Sequence, residues 1–163
     1  MIRPATPEDD GWIAALWSDI IALPDVTFTT VPKTPADIAA QRAAFPMLVS
    51  DHDGFATYGP FRPGPGYAAC AELSIHVTAA ARGRGVGRAL ITALEAEAQA
   101  RGIDTLIAGI SGANAPAIRF HSALGFAEAG RLPAVGQKGG QRFDLVLMQK
   151  LLPAHPDNAI RHG

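Results

Sequence analysis

The chain has 163 residues, 48% hydrophobic and 18% charged, which suits one domain with a sizeable core and excludes a disordered chain. A formal net charge of −1 gives no general attraction to nucleic acid or an anionic membrane, so any affinity for phosphate must be local. The single cysteine, Cys70, excludes an internal disulfide and a cysteine-built zinc site, and His52, His76, His155 and His162 are not arranged as metal ligands. Without a signal-peptide start or an apolar run of about 18 residues, the chain reads as cytoplasmic, with no membrane or nucleic-acid partner.

Met1 to Pro4 can form a short first strand. Pro7-Glu8-Asp9-Asp10 opens a helix with acidic residues in its first turn, Trp12, Leu16, Ile20 and Leu23 follow at helical spacing, and Pro24 ends it. Thr34-Pro35, an N-cap followed by an N1 proline, starts a second helix running to about Ala44. Met47 to Val49 and Phe55 to Tyr58 read as a hairpin across Asp53-Gly54, and the proline-rich Pro60 to Gly66 reads as a loop. Tyr67 to Val77 is expected as a long strand and Gly87 to Ala100 as an amphipathic helix stopped by Gly102. Strand Asp104–Ile110, helix Asn114–Leu124 and strands Phe126–Arg131 and Phe143–Gln149 complete the pattern. The expected fold class is therefore α/β (α+β), as one domain over 1–152 with a loose tail over 153–163.

Between the long strand and the amphipathic helix stands Arg82-Gly83-Arg84-Gly85-Val86-Gly87-Arg88. Glycines let a backbone approach a ligand closely, and a helix start offers unpaired N–H groups and a positive dipole end, which together can cradle a pyrophosphate. A Walker loop would need a Gly-Lys-Ser/Thr ending that does not occur, and the third glycine of Gly-x-Gly-x-x-Gly is missing in either frame, Arg88 standing there when counted from Gly83 and Leu90 when counted from Gly85.

The spacing Arg82-x-x-Gly85-x-Gly87 resembles motif A of the GNAT acetyltransferases, and Asn114 to Phe126, with Phe120, His121 and the Gly125-Phe126 pair, resembles that superfamily's second signature. Phe28-x-Thr30, Tyr58-Gly59-Pro60-Phe61-Arg62, Ala71-Glu72-x-Ser74-x-His76-Val77 and Leu132 to Lys138 resemble the phosphinothricin and methionine-sulfone acetyltransferase branch. The resemblance implies the GNAT fold: a mixed sheet of about six to seven strands flanked by about four helices. It also implies acetyl-CoA as co-substrate, acetyl transfer to the primary amine of a small molecule, and a homodimer. Acetyl-CoA would be held by Ile75, His76, Val77, Arg82, Gly83, Arg84, Gly85, Val86, Gly87, Arg88 and Asn114. One departure stands out, because that branch carries Trp-His-Asp where this chain has Arg142-Phe143-Asp144.

The strand before the glycine loop alternates, with Leu73, Ile75 and Val77 on one face and Glu72, Ser74 and His76 on the other. Acyl transfer to an amine needs a neutral amine, hence a base, and a carboxylate on a mostly buried strand has its pKa raised towards that task. Glu72 matches the glutamate that serves as base in the resembling branch. His121, where many GNAT proteins have tyrosine, is expected to protonate the departing thiolate or to be an ordinary helix histidine. Asn114 can bond the cofactor arm, cap its helix, or do both. Phe28, Tyr58 and Phe61 are expected to build the acceptor pocket, with Arg62 and Lys138 pairing a substrate carboxylate. Two alternatives stay open: a CoA-binding sensor without catalysis, and an acetyltransferase of protein N-termini or lysines.

Overall fold

A computed structural model describes residues 1–161. In chain order these form β1 (Ile2–Pro4), α1 (Asp10–Ile21), α2 (Pro35–Ala44), β2 (Met47–Ser50), β3 (Gly54–Pro60), β4 (Cys70–Val77), α3 (Val86–Ala100), β5 (Thr105–Ser111), α4 (Ala115–Ala123), β6 (Ala127–Lys138), β7 (Gln141–Leu151) and α5 (Pro156–Arg161). The strands make one seven-stranded sheet in the order β1-β2-β3-β4-β5-β7-β6. Every neighbouring pair is antiparallel except β4 beside β5. The mixed α/β class and the seven strands agree with expectation, and a fifth helix is added at the end.

The two-residue period of the strands divides the core between the sheet's faces. On one face Leu90, Leu94 and Ala98 of α3 pack against Leu73, Leu106, Val146 and Met148. On the other, Ile13 of α1 and Ile38 of α2 pack against Met47, Val49 and Phe55. Neighbours on β3 go opposite ways, Phe55 to the second cluster, Ala56 and Tyr58 to the first.

The helices that flank the functional face are fixed at their ends. Asp9, only 2% exposed, accepts from both terminal nitrogens of Arg3 at 2.7 and 3.0 Å, from the Thr6 amide at 2.8 Å and from Trp12 Nε1 at 2.9 Å. This cluster pins the start of α1 to β1. Thr34 caps α2 reciprocally with Asp37, and Arg42 reaches back to both Asp10 oxygens at 3.0 and 2.9 Å.

Three expectations need correction. The fourth strand starts at Cys70 because Pro65–Tyr67 turn as a 3-10 segment. The strand expected to stop at Arg131 runs to Lys138, since β6 is an edge strand that tolerates Pro133 through a bulge. In that bulge Ala134 takes φ 55 and donates its amide to Asp144 at 2.9 Å. The segment expected to be a loose tail holds α5, with Asn158 donating its side-chain amide to the Leu151 and Leu152 carbonyls. His162, assigned to that tail, lies outside the described residues.

Arg3, followed by the Thr6 amide and Trp12, holds the Asp9 carboxyl well below the usual carboxylate range against the opposing effect of burial. A depressed pKa stabilises the fold in full above the unfolded value of about 4 and loses that contribution progressively as the pH falls from there through the lower folded-state value. Asp9→Asn should lower stability by about 2 kcal/mol at pH 7, and the gap should narrow progressively in urea melts taken at pH values falling below about 4.

Candidate active site

The site begins where two neighbouring strands part. β4 and β5 pair over Cys70↔Thr105, Ala71↔Leu106 and Glu72↔Ile107, and no further. Beyond Glu72, β4 keeps its partners on β3 as far as Val77↔Gly54, while β5 keeps β7 as far as Ser111↔Leu145. Leu73–Val77 therefore present one row of main-chain groups to a wedge-shaped opening inside the sheet. Such a row is a template for a ligand with amide groups of its own. The cleft spreading from this wedge encloses about 980 Å³.

Glu72 stands at the closed end of the wedge. Gly109, across on β5, leaves room for it: a Cβ there would lie 2.9 Å from Glu72 Oε1 and 3.5 Å from a Leu145 methyl. Solvent reaches the carboxyl through the mouth of the cleft, yet the surrounding protein removes enough water to raise its pKa. Four residues along the same face, His76 lies 5.8 Å from Trp17 and 5.5 Å from Phe55, ring to ring. Burial there lowers its pKa to about 4, so the ring is neutral at physiological pH.

The glycine loop closes the other end. Gly83 (φ 77) and Gly85 (φ 82) take left-handed backbone, which brings the chain round to the start of α3. Gly87, in the first turn of α3, is crossed by Phe120 of α4, and a Cβ would meet two of its ring atoms at 2.9 Å. Arg82, Gly83, Gly85, Val86, Gly87 and Arg88 all line the cleft, as do Ile75, His76 and Val77. Arg84, expected beside them, turns away: it is 61% exposed and its guanidinium lies 3.7 Å from Asp53.

Helix α4 supplies the third wall. Asn114 accepts from the Ala117 amide at 3.3 Å, capping the helix while it lines the cleft. His121 is only 5% exposed, and its Nδ1 lies 2.8 Å from the Ala117 carbonyl. A carbonyl can only accept, so Nδ1 carries the proton. Nε2 is buried without any partner. Burial lowers the pKa of this ring, partly opposed by that hydrogen bond. In its neutral form Nε2 therefore offers a lone pair, and the expected role of proton donor would require a cation that the site disfavours.

The side expected to take the acceptor, that of Phe28, is walled by Trp17 and Ile20 of α1 and by Val26, Thr27, Phe28 and Thr29 of the segment that follows it. Of the five residues expected there, only Phe28 lines the cleft. Tyr58 is 4% exposed, on the opposite sheet face, packed 6.0 Å from Phe45. Phe61 meets Tyr67 edge-on, and Arg62 lies over Phe61 at 5.8 Å, both outside the cleft. Lys138 gives its ammonium to the main-chain carbonyls of Ile21 and Thr27. A cation overlooked in the sequence does line the cleft: Lys33, its Nζ 4.7 Å over the Trp17 ring. Ser18 Oγ pins that residue by bonding both its amide (3.0 Å) and its carbonyl (3.1 Å). No periodicity marks Lys33, whose only signal is its place just before the Thr34 cap.

Comparison with known proteins agrees with this geometry. The family model described as acetyltransferase (GNAT) family matches residues 17–126. An L-methionine sulfoximine/L-methionine sulfone acetyltransferase of Pseudomonas paraeruginosa is 35% identical, over 91% of this chain and 92% of its own length. A GNAT superfamily phosphinothricin acetyltransferase from Sinorhizobium meliloti, solved in complex with acetyl-CoA, superposes with a TM-score of 0.85 at 30% identity, over 93% of this chain and 88% of that one. A structure named ribosomal-protein-alanine N-acetyltransferase, from Brucella melitensis, superposes with a TM-score of 0.86 at 38% identity, over 93% and 99%. Among the described residues no helix is long and apolar enough to cross a membrane.

The contact between Gly87 and Phe120 makes a sharp test. Gly87→Ala must displace a ring that lines the cleft, and overpacking of this kind should weaken acetyl-CoA binding about tenfold in calorimetric titration.

Proposed function

The chain belongs to the GNAT acetyltransferase family, and on that premise we propose that it acetylates the primary amine of a small amino acid or amino-acid analogue of the methionine sulfone and phosphinothricin kind. The observation that carries this reading is the wedge between β4 and β5, with the glycine loop at one end and a carboxyl of raised pKa at the other.

Acetyl-CoA brings an activated thioester. The remaining needs are a neutral amine, an orientation and little water, and the residues of the cleft answer each. Glu72 removes a proton from the acceptor ammonium, directly or through one water. The open edge of β4 and the loop from Arg82 to Arg88 hold the cofactor's amides and pyrophosphate, with Arg82 and Arg88 adding charge. His121 accepts a hydrogen bond at Nε2, which relieves a buried lone pair that otherwise has no partner.

Lys33 takes the acceptor's carboxylate, in place of Arg62 and Lys138. Its ammonium forms no ion pair among the described residues, and it stands on the acceptor side of the cleft. The wall formed by residues 26–29 makes that side a pocket, which suits a small molecule better than a protein N-terminus.

The reading is tested with acetyl-CoA and a panel of methionine sulfone, methionine sulfoximine, phosphinothricin, polyamines, a lysine peptide and an alanine-ended peptide, following thiol release. The amino-acid analogues should react and the peptides should not. Glu72→Gln should lower kcat/KM about a hundredfold at pH 7. The wild type loses activity as the pH falls through the raised pKa of Glu72, because the carboxylate is the active form; an unchanged profile in the variant would remove Glu72 as the base. Lys33→Met should raise KM about tenfold for acceptors with a carboxylate and leave polyamines unaffected.

A further inference from the structure

We propose that Lys138 is a positioning residue: it clasps the segment between α1 and α2 onto the β6–β7 hairpin and so sets the acceptor wall of the cleft. The kinetic half of this inference rests on the acetyltransferase reading above.

The clasp has two parts. Lys138, the last residue of β6, donates from Nζ to the carbonyl of Ile21, the last residue of α1, and to that of Thr27 at 2.9 Å. These bonds span 117 and 111 residues of sequence. Helix C-terminal carbonyls carry the negative end of the helix dipole, so an ammonium suits them better than a neutral donor would. Lys138 forms no ion pair with a carboxylate among the described residues, which leaves its charge to these carbonyls.

The second part is a platform for one ring. Gly136 and Phe143 face each other across the β6–β7 ladder. Phe28 stacks on Phe143 with centroids 6.0 Å apart and planes 20° apart. It also lies so close over Gly136 that a Cβ there would meet three of its ring atoms at 2.5 to 2.7 Å. Glycine is required at 136 for this approach, and not for a left-handed backbone, which it does not adopt.

What the clasp holds is the wall itself. Between Ile21 and Pro35 the chain has no regular secondary structure, and Val26, Thr27, Phe28 and Thr29 line the cleft. A segment with few bonds of its own takes its position from its anchors. Ser18 fixes its far end at Lys33, and Lys138 and Gly136 fix its middle. Both anchors lie on β6, outside the cleft, so they reach the acceptor only through the wall.

Two substitutions separate the parts. Lys138→Met keeps the aliphatic stem and removes the donors, and Gly136→Ala keeps every hydrogen bond and displaces the ring. Both should raise the acceptor KM about tenfold or more, with kcat changed far less and acetyl-CoA affinity within about twofold of wild type. Lys138→Arg, which keeps charge and donors, should recover part of the loss. Without any substrate, amide hydrogen exchange over residues 22–30 should quicken in Lys138→Met, while α3 and β5 stay as protected as before. An unchanged acceptor KM in both variants, or acetyl-CoA binding lost in parallel with it, would overturn the clasp. Should Lys138→Met fail to fold, Gly136→Ala decides by the same KM criterion. If the wild type acetylated no amine in the panel, the function reading would fall. The exchange measurement would still decide the clasp, with unaltered protection at 22–30 overturning it.

Discussion

The short parallel ladder between β4 and β5 is the constraint from which the site follows. A parallel neighbour is reached by a crossover helix, here α3, and the glycine loop that starts this helix necessarily lies at the C-terminal end of β4. Pairing stops after Glu72↔Ile107 while both strands continue, so the unpaired edge leads from Glu72 towards that loop. The proposed base, the open edge and the proposed phosphate cradle are thus consecutive stretches of one chain, Glu72 to Arg88. Their order in space needs no long-range coincidence. Only α4 and the acceptor wall must be brought in from elsewhere.

The ionisable groups in the wedge share one cause of perturbation. Desolvation raises the pKa of Glu72 and lowers those of His76 and His121, in each case favouring the neutral form. Three groups on two elements thus have their neutral forms favoured by the same desolvating cleft. Arg82 and Arg88 stand exposed at its rim. Exposed cations thus stand where a pyrophosphate would need them, and the neutral forms of Glu72, His76 and His121 are favoured where a thioester and an amine would meet. His121 shows how local bonding refines this: the Ala117 carbonyl fixes the proton on Nδ1, and the buried Nε2 that remains can only accept.

Local signals carried most of the fold. The Thr34-Pro35 cap, the Asp53-Gly54 turn, the Gly102 stop and the Asn114 cap all mark real boundaries, because each satisfies backbone groups within a few residues. The split of Leu73, Ile75 and Val77 from Glu72, Ser74 and His76 was legible for the same reason, as a property of one strand. Errors came where distant chain decides the outcome. Pro133 looks like the end of a strand, but an edge position and the Asp144 carboxylate let β6 pass through it. Tyr58 looks like a pocket aromatic, but β3 register turns it to the α3 face. Lys138 and Arg62 look like carboxylate ligands because sequence shows charge without direction.

The fates of the cations make the last point physical. An ammonium must find acceptors wherever the fold puts it, and three lysines find them differently. Lys150 pairs with Glu95 at 2.7 Å and braces β7 against α3. Lys138 spends its charge on carbonyls at the end of α1, where the helix dipole substitutes for a carboxylate. Lys33 has the Trp17 ring and no carboxylate, an incomplete solution in a cleft that excludes part of the water. A cation left incompletely satisfied beside a cavity gains most from an incoming anion, and one already committed to main-chain carbonyls gains least. The same reasoning that removes Lys138 from the substrate therefore favours Lys33 as the proposed carboxylate ligand, and leaves Lys138 as the proposed anchor of the wall beside it.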